Sequence, residues 1–182
     1  MSQAVGLVEL SSVAAGFAAA DAMLKTADVQ LLVCRSICSG KYMVIIGGEV
    51  AAVGAAVDVG SAVEPHALID RTVIPNVHPT ILPALAGTNQ VETRNALGIL
   101  EAFSVASLIE GADEAVKAAN VELIEIRLAM ALGGKAFATM TGETSAVQAA
   151  LAAGAAKIGE KGLLVNSVLI PAPRPELFRE HI

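Results

Sequence analysis

Apolar positions recur along this chain at two spacings, and the spacings alternate. Ala4–Leu10 is a short apolar run with Glu9 as its one charge, and it ends at Ser11-Ser12. That reads as a strand running into a helix N-cap. Val13, Phe17, Ala20, Leu24 and Ala27 then follow at i, i+4, i+7, i+11 and i+14, one apolar stripe of a helix. Val29–Ile37 and Tyr42–Gly47 are strand-like runs on either side of a Ser-Gly step, a tight-hairpin signal. Val50–Gly60 is an Ala/Val-rich helix, and Leu68–Ile74 reads as a closing strand.

The same order then returns. Ala4-Val-Gly-Leu-Val-Glu9 aligns with Ala96-Leu-Gly-Ile-Leu-Glu101, and from Ala4 to Arg35 about thirteen of thirty-two positions are identical at an offset of 92. Val105, Ile109, Ala112, Val116 and Ala119 repeat the helical stripe. Asp21–Lys25 and Asp113–Lys117 sit i, i+4 on the opposite side, away from the stripe, each worth about a few tenths of a kcal/mol if solvated. Gly48-Glu49 returns as Gly142-Glu143, Ala146–Ala156 echoes the second helix, and Leu163–Ile170 echoes the closing strand, with Val73-Ile-Pro75 resembling Leu169-Ile-Pro171. Two domains are expected, 1–90 and 91–182. Each reads βαββαβ, so the fold class is α+β: two tandem ferredoxin-like units, each an antiparallel sheet with helices on one face. The copies differ most at the hairpin. Arg35–Lys41 in the first becomes Arg127–Lys135 in the second, two residues longer, with Met130 near the place of Cys38. Function concentrates at variable loops on a fixed frame.

Composition sharpens this picture. The chain is 54% apolar yet 3% aromatic, without Trp and with 16 Gly, at a mean hydropathy of +0.64. Such an apolar excess in small side chains points to subunit contacts. A membrane span needs about 20 mostly apolar residues. The longest stretch without Asp, Glu, Lys or Arg, Thr72–Val91, is interrupted by Pro75, Pro79 and Pro83. No signal peptide pattern opens the chain, so a cytoplasmic protein with reduced thiols is expected. A net charge of −6 without a basic cluster excludes the usual electrostatics of nucleic acid binding.

The candidate chemistry is sparse. Cys38 stands at the hairpin tip, and a lone cysteine is open to two readings, a small buried hydrophobe or a metal ligand. Cys34, about 13 Å away along a strand, is too distant to share one iron with it and reads as core. His66, His78 and His181 lack metal-ligand spacing. Glu9 and Glu101 admit a paired-acid reading, but their repetition favours a structural role, met by backbone or a neighbouring chain. Lys41 and Lys135 close the hairpins as solvated charges. No phosphate loop and no nucleophile–base pairing stands out.

The Gly-x-x-Glu openings at Gly6–Glu9 and Gly98–Glu101 come with Ala-Asp-x-x-x-Lys-x-Ala-x-Val helix ends at Ala20–Val29 and Ala112–Val121. With the Ser-Gly-Lys and Gly-Gly-Lys hairpins and the Gly48-Glu49-Val50 turn, these resemble bacterial microcompartment shell proteins. Two copies in unpermuted order resemble the trimer-forming tandem-domain subfamily, and within it the T type of propanediol-utilising shells, from Met1 to about Arg174. The resemblance implies a structural tile, not an enzyme, in a microcompartment shell within the bacterial cytoplasm. Three chains would make a flat pseudohexagonal disc that meets other shell proteins edge to edge. It places Cys38 at the pore, with Ile37, Ser39 and Gly40 as rim. It further implies one [4Fe–4S] cluster per trimer, shared by Cys38 of three chains, with electron transfer across the shell to a redox partner protein. A non-cysteine ligand would complete the fourth iron. For the tile edges it implies Lys25, Lys117 and Arg174, and in the first copy, which lacks that arginine, Asn76 or His78. Two alternatives stay open: a tile with an open metabolite pore and a free Cys38 thiol, or a ferredoxin-like enzyme or ligand-binding regulator.

Overall fold

The structure, a computed structural model, describes residues 4–91, 94–128 and 132–178, and of Ser39 the backbone. It divides into two compact units, one of residues 4–77, 104–107 and 132–134, the other of 78–91, 94–103, 108–128 and 135–178.

In the first unit the strands are β1 (Ala4–Leu10), β2 (Gln30–Ile37), β3 (Lys41–Gly48) and β4 (Leu68–Ile74), with helices α1 (Val13–Thr26) and α2 (Val50–Ala62). The sheet order is β2-β3-β1-β4, every pair antiparallel. That is the split-βαβ arrangement the alternating pattern predicts. β1 is buried along its whole length, which explains a near-continuous apolar run where a half-exposed strand would alternate. Its side chains join Met23 of α1, Val44 and Ile46 of β3, and Val53 and Val57 of α2 in one core. Ser12 caps α1 by accepting from Ala15 N at 3.3 Å. Glu49 caps α2 by accepting from Ala51 N at 3.1 Å. Carboxylates and hydroxyls at these ends satisfy amides that lack intrahelical partners.

In the second unit β5 (Ala96–Ala102), β6 (Glu122–Leu128), β7 (Ala136–Gly142) and β8 (Leu164–Ile170) repeat the order β6-β7-β5-β8, with α5 (Thr144–Gly159) and α4 (Val105–Ala118), whose first three residues belong to the first unit. The irregularities repeat too. The register shift at Glu9/Leu10 returns at Glu101/Ala102, and that at Leu31/Val33 returns at Leu123/Glu125. Such bulges re-aim side chains and persist as features of a frame. α4 and α5 cross at glycines, since a Cβ on Gly154 would stand 2.7 Å from the Gly111 carbonyl oxygen.

Two sequence expectations are corrected here. First, the stripe Val13–Phe17–Leu24 is not the face α1 turns to the sheet. The buried residues are Ala15, Gly16, Ala19, Ala20 and Met23, small side chains that let α1 lie close, while the larger apolar residues are exposed. Second, Asp113 is buried, not solvated. A short helix α3 (Ile81–Ala86), for which no element was assigned from the sequence, forms in the proline-interrupted stretch. Pro83 sits in its first turn, where its missing N–H has no intrahelical role. Gly87 then ends it at φ 66°. Met130 and His181 lie outside the described residues. Among the described residues no helix is long and apolar enough to cross a membrane.

Candidate functional site

β2 and β3 pair as far as Ile37 opposite Lys41, and Cys38–Gly40 forms a single 3₁₀ turn between them. Gly40 has φ 72°, a backbone region that side chains with a Cβ resist. Ile37 is buried and anchors the base of the turn, Cys38 is half-buried, and Gly40 is exposed. Neither Cys38 nor Cys34 is in a disulfide.

Tyr42, the first residue past the hairpin closure, is buried. Its hydroxyl lies 3.3 Å from Cys34 Sγ, and its ring packs on Phe17 with centroids 5.1 Å apart. The hydrogen bond to Cys34, then burial, push the Tyr42 phenol up to about 12. Cys34 thus serves the core edge and holds the strand that follows the tip, consistent with its reading as core.

The hairpin lysines are not free surface charges, which corrects the expectation for Lys41 and Lys135. Lys41 Nζ lies 2.8 Å from Glu9 Oε1, and Lys135 Nζ lies 2.6 Å from Glu101 Oε1. Glu9, fully buried, also accepts from Val105 N at 2.9 Å and from Ser104 Oγ at 3.0 Å. Its carboxylate therefore sits at the N-terminus of α4, where amides and the helix dipole favour negative charge. Ser104 Oγ and Ser107 Oγ each lie 2.6 Å from Asp70 Oδ2. One hydroxyl hydrogen on Ser104 serves either carboxylate, not both at once. The repetition of Glu9 signalled a structural role. Asp70, Ser104 and Ser107 went unnoticed, because their partners are more than thirty positions away in sequence.

Of the expected edge residues, Lys25 is exposed and pairs with Asp21 at 2.6 Å. Lys117 pairs with Asp113, whose other oxygen accepts from His78 N at 2.7 Å. The structure thus brings Lys117 and His78 to one carboxylate. His78 Nδ1 is 2.8 Å from Thr80 Oγ1. Asn76 is exposed at φ 52°, and Arg174 is exposed. A cavity of about 350 Å³ in the second unit is lined by Asn89, Arg94, Glu125, Arg127 and Phe178, among others. Arg127 is already engaged by Glu125 at 3.1 Å, and this set offers no nucleophile with a base. Among the described residues no three His, Cys, Asp or Glu side chains could hold a metal ion together. A thiolate-bound cluster at Cys38 therefore fits the donor set only if further copies of the chain contribute theirs.

Both copies of the duplicated module match the BMC domain, at residues 4–77 and 96–173. The chain belongs to this family, the shell proteins of bacterial microcompartments, and is structural rather than enzymatic. It is 44% identical over 182 residues to the bacterial microcompartment shell protein PduT of Citrobacter freundii, covering 100% of this chain and 99% of that one. A crystal structure of a microcompartment protein from Desulfitobacterium hafniense shares 46% identity at a TM-score of 0.89, over 98% of this chain and 99% of that one. The shell protein EutM of Escherichia coli K12 matches over 82 residues at 39% identity, 45% of this chain and 82% of its own, the length of one copy.

Proposed function

We propose that three copies of this chain form a flat pseudohexagonal shell tile that meets other shell proteins edge to edge, and that Cys38 from each copy binds one shared [4Fe–4S] cluster at the pore. When bound, such a cluster supplies one-electron transfer, here across the shell to a redox partner protein. The observation that carries the reading is the position of Cys38. It stands on the tip where the two copies depart from a shared frame, outside any disulfide, on a one-turn 3₁₀ segment. Ile37 and Tyr42 pin the two strands that deliver it. The backbone amides of Ser39 and Gly40, which follow Cys38 in the turn, are the candidate donors to its cluster, the kind of outer contact that tunes one. Lys25 and Arg174 are exposed, as an edge contact between tiles requires.

Protein purified without oxygen is expected to be brown, with iron and sulfide for about one cubane per three chains and a matching EPR signal on reduction. Cys38→Ser loses iron, sulfide and signal, whereas Cys34→Ser keeps them. Retention of the full cluster content in Cys38→Ser would falsify the assignment. A colourless wild type with reactive Cys38 thiols points instead to an open pore.

A further inference from the structure

We infer that the cavity of the second unit is a binding site for a small aliphatic monocarboxylate, held by the guanidinium of Arg127 with Arg94 at its edge. This site is independent of the tile reading and of any cluster at Cys38. The cavity offers no nucleophile with a base, so what it can do is bind.

Its walls come from three segments of that unit. β6 supplies Ile124, Glu125 and Arg127, the segment after α3 supplies Val91 and Arg94, and the segment after β8 supplies Phe178. Asn89 Nδ2 donates to Leu123 O at 2.9 Å, which ties the second segment to β6. Phe178 is 7% exposed, and Arg94 lies over its ring with Cζ 5.6 Å from the centroid. The walls are therefore held by contacts other than those a ligand would make, as in a largely pre-formed site. A volume of about 350 Å³ lies at the small end of the range for ligand cavities.

The charges set the class of ligand. Each lysine of this chain pairs with a carboxylate. Arg94, by contrast, meets no carboxylate among the described residues, and its contact is the Phe178 ring. Arg127 engages Glu125 through Nε at 3.1 Å, which leaves its two terminal amino groups as a fork of donors that matches a carboxylate. The lining thus holds two guanidiniums against one carboxylate, a local positive excess in a chain of net charge −6. One negative charge balances that excess. A phosphate dianion would set a second, unbalanced charge beside Glu125. Ile124, Val91 and the Phe178 ring offer apolar surface to a short alkyl tail.

The first copy of the module shows what the site requires. At the offset of 92, Arg127 corresponds to Arg35 and Glu125 to Val33. Arg35 is exposed, whereas the side chain of Arg127 is 32% exposed. The shared arginine is held against a wall only in the copy that carries a carboxylate two positions before it.

The test is a saturation-transfer NMR titration of the full-length protein with butyrate as the probe, in a buffer free of carboxylate and phosphate. Butyrate is expected to bind saturably, roughly tenfold more tightly than acetate for its two further methylenes. It should also bind at least about tenfold more tightly than neutral butyramide, for the charged hydrogen bonds. Arg127→Gln loses most of this affinity, and Arg94→Gln serves in its place if circular dichroism shows that variant to be misfolded. Arg35→Gln leaves the affinity unchanged, and Glu125→Gln narrows the preference for butyrate over inorganic phosphate. The site is overturned by the absence of saturable butyrate binding, by equal binding of butyramide, or by binding that folded Arg127→Gln retains in full. Tighter binding of phosphate than of butyrate by wild type overturns the ligand class, and a loss of affinity in Arg35→Gln overturns the location.

Discussion

Replacing Gly16 by Ala should destabilise this protein, although the same change in an unencumbered helix stabilises it. Gly16 lies inside α1, where Ala is favoured over Gly by about 1 kcal/mol. A Cβ at Gly16 would stand 2.2, 2.4 and 2.6 Å from Cδ1, Cγ and Cβ of Tyr42. Turning the ring about Cβ–Cγ relieves only the first of these contacts, moving Cγ takes a change of χ1 that would pull the hydroxyl away from Cys34, and Cβ moves only with the β3 backbone. Overpacking of this kind costs about 1–3 kcal/mol, and contact with three atoms puts it near the upper end, for a net loss of about 2 kcal/mol. Gly54 provides the control. It is inside α2 with nothing within 4 Å of a built Cβ, so Gly54→Ala should gain about 0.5–1 kcal/mol. Urea unfolding followed by far-ultraviolet circular dichroism, at one protein concentration for all three proteins, should separate the two variants by roughly 1–2 M in midpoint. A midpoint for Gly16→Ala at or above wild type would refute the packing argument. The strain also has a functional address, since Tyr42 is the first residue past the hairpin closure at Lys41 and partners Cys34.

Tyr42 is the single tyrosine in a chain without Trp, so phenolate absorbance in the near ultraviolet reports this residue alone. Half-titration is expected near pH 12, falling back towards the ordinary value in Cys34→Ala. Because the folded value is raised, the associated stability is fully present below about pH 10 and is lost as pH rises through about 12; a folded protein whose Tyr42 titrates near 10 contradicts this. Glu9→Gln keeps the shape but leaves Lys41 without its carboxylate beside a buried amide, and should cost about 3 kcal/mol. Adding Lys41→Met should recover part of that loss in the same denaturation assay, and no recovery would mean that the ion pair is not the source.

The duplication was legible because it is written in identities at a nearly constant offset, and the frame followed from it. Leu68–Ile74 was read to the residue, and the hairpin strands to within one. α3 was not legible, since three prolines in the stretch argue against a helix until Pro83 is seen to fall in a first turn. The role of Glu9 was half legible. A repeated lone charge in an apolar strand announces a structural partner, but the partner amide, Val105 N, lies 96 positions away.

The sequence by itself determined the module, its repetition, and the one hairpin tip where the copies part and Cys38 stands. Only the tertiary structure decided which side of each helix is covered. The stripes at Val13–Leu24 and Val105–Val116 have the same period and apolar residues at every position, yet the large side chains of the first are exposed and those of the second buried. Periodicity records which positions are apolar along one element, whereas burial depends on what a distant segment brings to them. Cys38 shows the same limit in its chemistry: one chain brings one cysteine sulfur to the tip, and since no three candidate ligands cluster among the described residues, a shared ligand set depends on copies beyond the chain.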